Sequence, residues 1–311
     1  MKLGVFTVVF GQLPLGEALD RTAALGLDAV EIGTGNYPGD AHCASADVLR
    51  REVEARGLEI SALSCHGNPL HPAIDVARRS HETFEETVRL AVELGVDTVV
   101  CFSGCPGDGP TAAQPNWVTC AWPPEYLEVL DWQWNEQAIP YWTEQAAFAR
   151  EHGVRVALEP HPGFLVYNPE TALRLREACG PEIGVNFDPS HFVWQGIDPL
   201  LAVRELRDAI FHVHAKDVYV DRHNTARNGV LDTKHYNRFA DRSWSFRSVG
   251  YGQGEKFWRD FVSALRVAGY DGVLSIEHED GLASVEEGLS KAVDVLRAVV
   301  LREPPSDMWW A

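Results

Sequence analysis

Hydrophobic positions along the chain alternate between short apolar runs and longer amphipathic stretches. The short runs predict β-strands at residues 3–8, 29–32, 59–64, 98–102, 155–159, 183–188, 210–214 and 273–277. The amphipathic stretches predict helices near residues 15–26, 45–57, 74–95, 136–153, 169–179, 198–208, 255–269 and 283–301. Glycine follows several of these helices, in "LGL", "RGL", "LGV" and "HGV", as is usual just past a helix end. Strand and helix thus alternate eight times.

This alternation predicts an α/β fold of the (β/α)8 TIM-barrel type, a closed parallel barrel with its helices outside. An open doubly wound sheet is the rival, but "FTVVFGQLPLG" lacks the G-x-G-x-x-G turn that such sheets often carry after strand one. The length predicts a single domain over residues 1–311. Residues 103–135 and 218–254 each follow a strand and are too long for plain turns. We therefore predict that both are lid-like loop insertions on the C-terminal face.

The last four predicted strands each end in an ionisable residue. "VALEPHPG" ends its strand in Glu159, "IGVNFDPSH" in Asp188, "IFHVHAKD" in His214 and "VLSIEHED" in Glu277. Side chains alternate along a strand, so the residues two positions earlier share the same face. These companions are small or polar, as suits a crowded barrel interior: Ala157, Asn186, His212 and Ser275. The four ionisable side chains are therefore expected to meet at the mouth of the barrel.

Three carboxylates and one imidazole would repel one another without a cation. Placed around a divalent ion, the same groups become ligands. A set rich in oxygen with one nitrogen suits Mn²⁺, with Mg²⁺ or Co²⁺ as alternatives, better than structural Zn²⁺. We predict one divalent metal bound by Glu159, Asp188, His214 and Glu277.

These residues carry a resemblance to a known family. The chain resembles the xylose isomerase-like TIM-barrel superfamily of sugar phosphate isomerases and epimerases, in particular ketose 3-epimerases and inosose dehydratases. The likeness lies in Glu159, in "D-x-x-H" from Asp188 to His191, in "H-x-K-D" from His214 and in Glu277. It implies that the four ligands bind one metal, commonly Mn²⁺. It also implies that the two glutamates exchange protons with the substrate and that His191 contacts sugar oxygens.

Two positions depart from the ketose epimerases. Those enzymes carry an acid six residues after the first ligand, where this chain has Leu165, and an arginine six after the histidine ligand, where it has Val220. This chain instead has His161 two residues after Glu159, which we take as a third catalytic candidate beside Glu159 and Glu277. The departures give weight to a branch that acts by elimination.

The leading hypothesis is a metal-dependent isomerase or epimerase of sugars or keto-sugars, working through proton abstraction and a metal-stabilised enediolate. The first alternative is a lyase on an oxidised sugar or cyclitol, like an inosose dehydratase or a subunit that cleaves carbon glycosides. A non-catalytic sugar-binding barrel and an abasic-site endonuclease are further alternatives. The net charge of −18 opposes the endonuclease, because binding to nucleic acid relies on basic surfaces.

Further substrate contacts are expected from His66, Trp194, Lys216 and Arg247, the last among the arginines of the second long connection. His66 could instead be a hydrogen-bonded loop residue, Trp194 could simply pack, and Lys216 could pair with a nearby acid. Glu31 and His212 are expected to be structural.

The amino-acid composition limits the kinds of binding partner that we expect. The acidic charge and the lack of an apolar run of about 18 residues predict no nucleic-acid partner and no membrane, and leave a small-molecule sugar substrate. The six cysteines form no Cys-x-x-Cys pair, so we expect reduced thiols and a cytoplasmic protein. We expect a homo-oligomer, either dimer or tetramer, with a hetero-oligomer as the alternative.

Overall fold

A closed barrel of eight parallel strands forms the centre of the molecule. The structure is a computed structural model that describes residues 1–11, 13–35, 45–308 and 310. Around the barrel the strands follow the order β1-β10-β7-β6-β5-β4-β3-β2, and helices surround them. The predicted TIM-barrel fold is thereby confirmed.

The barrel strands lie within one or two residues of the predicted runs. Their bounds are β1 Lys2–Phe6, β2 Ala29–Gly33, β3 Glu59–Ser64, β4 Thr98–Cys101, β5 Arg155–Leu158, β6 Ile183–Phe187, β7 Ile210–Ala215 and β10 Val273–Ile276. The first strand ends earlier than predicted because Thr7–Phe10 turns into a 3₁₀ helix. Two further strands, β8 Asp217–Val220 and β9 Trp244–Arg247, pair antiparallel outside the barrel.

Eleven α-helices lie within the described ranges. They are α1 Leu15–Ala24, α2 Ala46–Glu54, α3 Ile74–Leu94, α4 Glu125–Trp132, α5 Ile139–Glu151, α6 Pro169–Cys179, α7 Pro189–Gln195, α8 Pro199–Leu206, α9 Arg222–Asn228, α10 Glu255–Val267 and α11 Val285–Val299. Eight of them correspond to the predicted amphipathic stretches. The other three, α4, α7 and α9, were not predicted, and each lies in a connection that follows a barrel strand.

The first long connection is partly helical. Helix α4 runs through a π-helical segment, Gln133–Ala138, directly into α5. The sequence pattern placed the start of this helix near residue 136. No residue of α4 is buried, so α4 shows no apolar periodicity toward the core, and Pro140 mimics a helix start. The wide π-helical turn precedes this proline and keeps the helix continuous.

The second long connection folds over its own small apolar cluster. Val218, Trp244 and Phe246 from β8 and β9 pack with Trp194 of α7. At the base, the buried carboxylate of Asp217 accepts hydrogen bonds from the backbone N–H groups of Gly250, Gly252 and Gln253, at N–O distances of 2.8, 3.2 and 2.8 Å. This connection is therefore anchored beside the end of β7.

Small side chains fill the interior of the barrel. Ala62, Val100 and Ala157 form a buried cluster inside it, whereas the larger core lies between the strands and the outer helices. On β6, a methyl group added at Gly184 would overlap the Phe211 ring and the Ala209 carbonyl oxygen. The absence of a side chain at Gly184 thus permits this close approach.

Gly184→Ala should lower the free energy of unfolding by about 2 kcal/mol, because overpacking forces neighbouring groups to shift. Guanidinium denaturation followed by circular dichroism measures the change. Gly109→Ala is the matched control, since no heavy atom lies within 4 Å of its added methyl group. Equal midpoints for the two variants would contradict the packing described here.

Two further features concern cysteines and membranes. Cys65, Cys101, Cys105, Cys120 and Cys179 are free thiols, and Cys43 lies outside the described residues. Within the described ranges, no helix has both the length and the apolar character needed to cross a membrane.

Candidate metal centre and active site

Four neighbouring strands bring the predicted metal ligands together. Glu159 follows β5 directly, Asp188 follows β6, Glu277 follows β10, and His214 lies near the end of β7. These strands are adjacent in the order β5-β6-β7-β10. One potential ligand atom from each residue lies within 4.8 Å of the others. The structure thus brings the four predicted side chains together at one end of the barrel.

His214 lies between the two glutamates. Its Nδ1 atom is 3.2 Å from Glu159 Oε2 and 3.1 Å from Glu277 Oε2. The side chains of His214 and Glu159 are almost completely buried, and that of Glu277 is 11 % exposed. Glu277 therefore lies nearest to solvent and faces the open end of the site.

Polar groups on three sides contact Glu159. Its Oε2 atom accepts hydrogen bonds from His66 Nε2 at 3.2 Å and from Asn186 Nδ2 at 3.0 Å, while Oε1 lies 3.3 Å from His191 Nε2. Burial opposes ionisation of Glu159, but the contacts with His191, His214 and His66 outweigh it and hold the pKa well below its usual range. Glu159 is thus an ionised carboxylate held in a fixed orientation.

Asp188 has two different oxygens. Its Oδ1 caps α7 by accepting a hydrogen bond of 2.8 Å from the Ser190 backbone N–H. Its Oδ2 lies 3.2 Å from His191 Nε2 and 3.5 Å from Lys216 Nζ. Burial raises the pKa of Asp188, and the charges of Glu159 and Glu277 act in the same direction. Asp188 is the carboxylate that most needs a compensating positive charge.

The unpaired atoms fit a metal. Asp188 Oδ2 and His214 Nδ1 are buried, and neither makes a hydrogen bond with the residues that the structure describes. Leaving such groups buried without a partner costs about 1–3 kcal/mol each. Both atoms belong to the four-residue cluster, so a cation at its centre would satisfy them. The donor set of three carboxylates and one imidazole suits a hard or borderline divalent ion.

A second polar layer lies beneath the ligands. Asn186 donates to Glu159 and accepts a hydrogen bond of 3.0 Å from His212 Nδ1, and His212 Nε2 lies 3.3 Å from Ser61 Oγ. Both side chains were expected to face the interior. His212 has partners at both ring nitrogens, as expected for a structural histidine. Burial lowers the pKa of His212 to about 4, so the ring is neutral at pH 7.

Glu31, expected to be structural, lies in this layer in contact with a metal-ligand candidate. His214 Nε2 is 3.0 Å from each of its carboxylate oxygens. Sequence reasoning did not foresee this contact because Glu31 lies within β2, on the far side of β1 and β10 from β7 in the strand order. The available signal was a carboxylate in an otherwise apolar strand, "AVEIG".

Among the residues that the structure describes, two other groups could also hold a cation by their geometry. One consists of Glu31, His212 and His214, and the other of Glu159, His161 and His191. In the first, the hydroxyls of Ser64 and Ser275 also donate to Glu31. In the second, His161 donates from Nδ1 to the Pro162 carbonyl oxygen at 2.7 Å. The four-residue cluster is the one with the most carboxylates, and the most repulsion for a cation to relieve.

His161 lies beside the ligands as predicted. Its ring centroid is 4.1 Å from that of His191 and 5.1 Å from that of Phe102. Burial and the neighbouring His191 lower the pKa of His161 to about 3. The ring is therefore neutral at pH 7.

Lys216 pairs with acids rather than standing free. Its Nζ atom is 2.8 Å from Glu279 Oε2, 3.2 Å from Glu277 Oε2 and 3.5 Å from Asp188 Oδ2, and it lies 4.3 Å from the centre of the Phe246 ring. Burial lowers the pKa of Lys216, but these carboxylates raise it well above its usual value. Lys216 thus remains charged, and sequence reasoning missed the contribution of Glu279.

Trp194 and Arg247 have protein partners. The Trp194 ring stacks on Trp244 with centroids 4.4 Å apart and is buried. Arg247 pairs with Asp280 at 3.2 Å, and Asp280 also accepts from the Ser248 backbone N–H at 2.8 Å. Their predicted contact with substrate has no direct support in these distances, whereas His66 and His191 both reach Glu159.

The comparisons with known proteins identify the family. A family model described as "Xylose isomerase-like TIM barrel" matches residues 19–299. The chain belongs to the xylose isomerase-like TIM-barrel family. It is 40% identical over 312 residues to the uncharacterized protein YfiH of Bacillus subtilis (strain 168), covering 96% of this chain and 99% of that protein. It is 23% identical to the inosose dehydratase of Geobacillus thermodenitrificans, covering 92% of this chain and 90% of that enzyme.

Solved structures share the xylose isomerase-like barrel. A D-tagatose 3-epimerase-like protein superposes with a TM-score of 0.65 at 22% identity, covering 96% of this chain and 99% of that one. The IOLI protein, solved with a zinc atom, superposes with a TM-score of 0.66 at 20% identity, covering 96% and 99%. The proteins similar to this chain thus include an inosose dehydratase and a D-tagatose 3-epimerase-like protein, and the family resemblance seen in the sequence is confirmed.

Proposed function

We propose that the protein is a divalent-metal-dependent enzyme that removes a proton next to the carbonyl of a sugar or keto-sugar and acts as an isomerase or epimerase. The observation that carries this proposal is the position of Glu159 and Glu277, which approach His214 Nδ1 from two different strands. Glu159, Asp188, His214 and Glu277 would be the metal ligands. Glu159 and Glu277 would also be the acid/base pair, with His161 as an additional catalytic residue.

The chemistry follows from the residues around the centre. When bound, a divalent metal would act as a Lewis acid toward a carbonyl and an adjacent hydroxyl, and would stabilise the enediolate left by proton removal. Glu159, ionised and held by His66 and Asn186, would take the proton. Glu277, nearer to solvent, would return a proton to the neighbouring carbon or the opposite face. A positioned carboxylate in such a role is commonly worth 10²–10⁴-fold in rate.

His66, His191 and Lys216 would orient the substrate. His66 and His191 already contact Glu159, so a sugar hydroxyl bound at the centre would lie within reach of both rings. Lys216 brings a buried positive charge to the same carboxylates and would favour an oxygen that carries negative charge. Trp194 and Arg247 would not touch the substrate in this arrangement. Trp194 stacks on Trp244 and Arg247 pairs with Asp280, so both would support the walls of the site.

A lyase is the second candidate, and His161 favours it. Its neutral imidazole lies in the same group of side chains as Glu159 and His191. If a leaving group sits beta to the carbonyl, the electron pair left by proton removal forms the new double bond. The leaving group then departs with the electrons of its own bond and takes up the proton that the neutral His161 ring has accepted from the carbon. The relationship to inosose dehydratases supports the same alternative.

The proposal also includes the identity of the metal, the cellular location, the kind of substrate and the assembly. Mn²⁺ fits the oxygen-rich donor set best, with Mg²⁺ or Co²⁺ as alternatives. The free thiols among the described cysteines are compatible with a cytoplasmic enzyme. A neutral sugar is the favoured substrate, and a homo-oligomer, dimer or tetramer, is the expected assembly, with a hetero-oligomer as the alternative.

A wash-in experiment in D₂O tests the proposal. The protein is loaded with Mn²⁺ and incubated with ketoses, inososes and 3-keto-glycosides, and products are analysed by mass spectrometry. Deuterium incorporation with the carbon skeleton and oxygens retained is the expected result for an isomerase or epimerase. Loss of water or of an aglycone would assign a lyase instead. Metal-loaded protein that exchanges no proton in any of these compounds, while still binding sugars, would overturn the enzymatic proposal.

A further inference from the structure

Glu31 is a completely buried carboxylate inside the barrel. It accepts a hydrogen bond from Ser275 Oγ at 2.6 Å and another from Ser64 Oγ, and both of its oxygens lie 3.0 Å from His214 Nε2. Three side chains from three different strands therefore converge on it. A charge buried this deeply needs such compensation, because the loss of hydration strongly disfavours an unpaired carboxylate.

The hydrogen-bond pattern determines the state of the His214 ring. An ionised carboxylate only accepts hydrogen bonds, so the proton between Glu31 and His214 is carried by Nε2. In the neutral ring, Nδ1 then holds a lone pair. That lone pair points away from Glu31 toward Glu159 and Glu277, whose oxygens lie at 3.2 and 3.1 Å. The contact thus selects the one tautomer that can offer Nδ1 as a ligand.

We propose that Glu31 is a positioning residue for the metal: its carboxylate fixes both the tautomer and the orientation of the His214 ring, so that Nδ1 faces the centre of the cluster. This inference rests on the proposed function. Glu31 acts through His214 and is not itself a ligand. Ser64 and Ser275 hold Glu31 in turn, so the hydrogen-bond network that orients His214 spans β2, β3, β7 and β10. Outer partners of this kind commonly contribute 10- to 100-fold to metal affinity.

The alternative is that Glu31 binds a cation directly with His212 and His214. The hydrogen bonds disfavour it. Each Glu31 oxygen already accepts from a serine hydroxyl, and the two ring nitrogens of His212 lie 3.0 Å from Asn186 Oδ1 and 3.3 Å from Ser61 Oγ. The two assignments differ in stoichiometry, because a second site would bind a second ion.

The experiment compares the full-length protein with Glu31→Gln by isothermal titration with MnCl₂. We expect one Mn²⁺ per chain in both, with affinity lowered 10- to 100-fold in the variant. In Zn²⁺-loaded protein with ¹⁵N-labelled histidine, long-range ¹H–¹⁵N spectra of the native chain should show His214 protonated at Nε2 and metal-bound at Nδ1. Glu31→Gln should change the His214 Nε2–H resonance, which a merely structural role would leave unmoved.

Ser275→Ala is the second variant. It keeps the Glu31 carboxylate and removes one of its donors, so its affinity should fall only a few-fold, and it answers the question if Glu31→Gln does not fold. Unchanged affinity and unchanged His214 signals in every folded variant would overturn the inference, as would loss of one of two bound ions. A native protein that binds no divalent ion would refute the proposed function itself, an outcome distinct from these.

Discussion

Glu159→Gln is expected to lower kcat/KM by about 10³-fold while leaving the fold intact. Glutamine has nearly the same shape, and its amide oxygen can still accept the hydrogen bond that Asn186 Nδ2 donates to Glu159. It cannot take a proton from carbon at neutral pH. The measurement is the rate of deuterium wash-in with the best substrate from the screen, at saturating Mn²⁺. Circular dichroism and the melting temperature verify the fold.

Glu170→Gln provides the matched control, because Glu170 is exposed on the first turn of α6 and does not contact the four ligands. Its exchange rate should remain within twofold of the native rate. Native exchange in Glu159→Gln would show that another group removes the proton. Reduced exchange that recovers fully at higher Mn²⁺ would restrict Glu159 to metal binding.

Asp188→Asn should abolish most of the thermal stabilisation that Mn²⁺ gives to the native protein. A metal present at a hundredfold excess over its Kd adds about 2.7 kcal/mol to the folded state, which corresponds to roughly 5 °C for a chain of this size. Asparagine keeps the oxygen that caps α7 but loses the negative charge at Oδ2, the buried atom without a hydrogen bond. Differential scanning fluorimetry with EDTA and then Mn²⁺ measures the shift.

Asp198→Asn is the corresponding control. Asp198 also caps a helix, by accepting from the Leu200 backbone N–H at 2.8 Å, but it has no contact with the ligand cluster. Its melting temperature should rise with Mn²⁺ as much as that of the native protein. The same rise in Asp188→Asn would contradict the assignment of Asp188 as a ligand.

The barrel was predictable because its physical cause is local. The eight apolar runs are buried on both faces and the eight amphipathic stretches on one, and the predicted bounds lie within a few residues of those observed. Helix α4 was not predictable in this way, since it buries none of its residues. The β8–β9 sheet depends on Trp194, Val218 and Phe246, which meet only after the chain has folded. Its strands therefore show no hydrophobic periodicity that would predict them from the sequence.

The convergence of Glu159, Asp188, His214 and Glu277 could be predicted because parallel strands place their carboxyl ends at one face. The contacts that the neighbouring side chains make with this cluster could not be predicted. Glu31 reaches His214 across the inside of the barrel, and Glu279 reaches Lys216 from a loop, so neither pairing leaves a fixed spacing in the sequence. Trp194 shows the reverse case, where a conspicuous aromatic residue near "DPSH" stacks against another tryptophan.

The short path from His214 to Asp217 has a consequence for how this protein can diversify. Within four consecutive positions the chain supplies an imidazole to the cluster, a cation to its acids and, through Asp217, the anchor for residues 250–253. Lengthening that path by even one residue would exchange inward for outward side chains. Residues 221–243 lie beyond the anchor, so a change in their length leaves the spacing from His214 to Asp217 unaltered. That segment can therefore vary while the four clustered side chains keep their places at the end of the barrel.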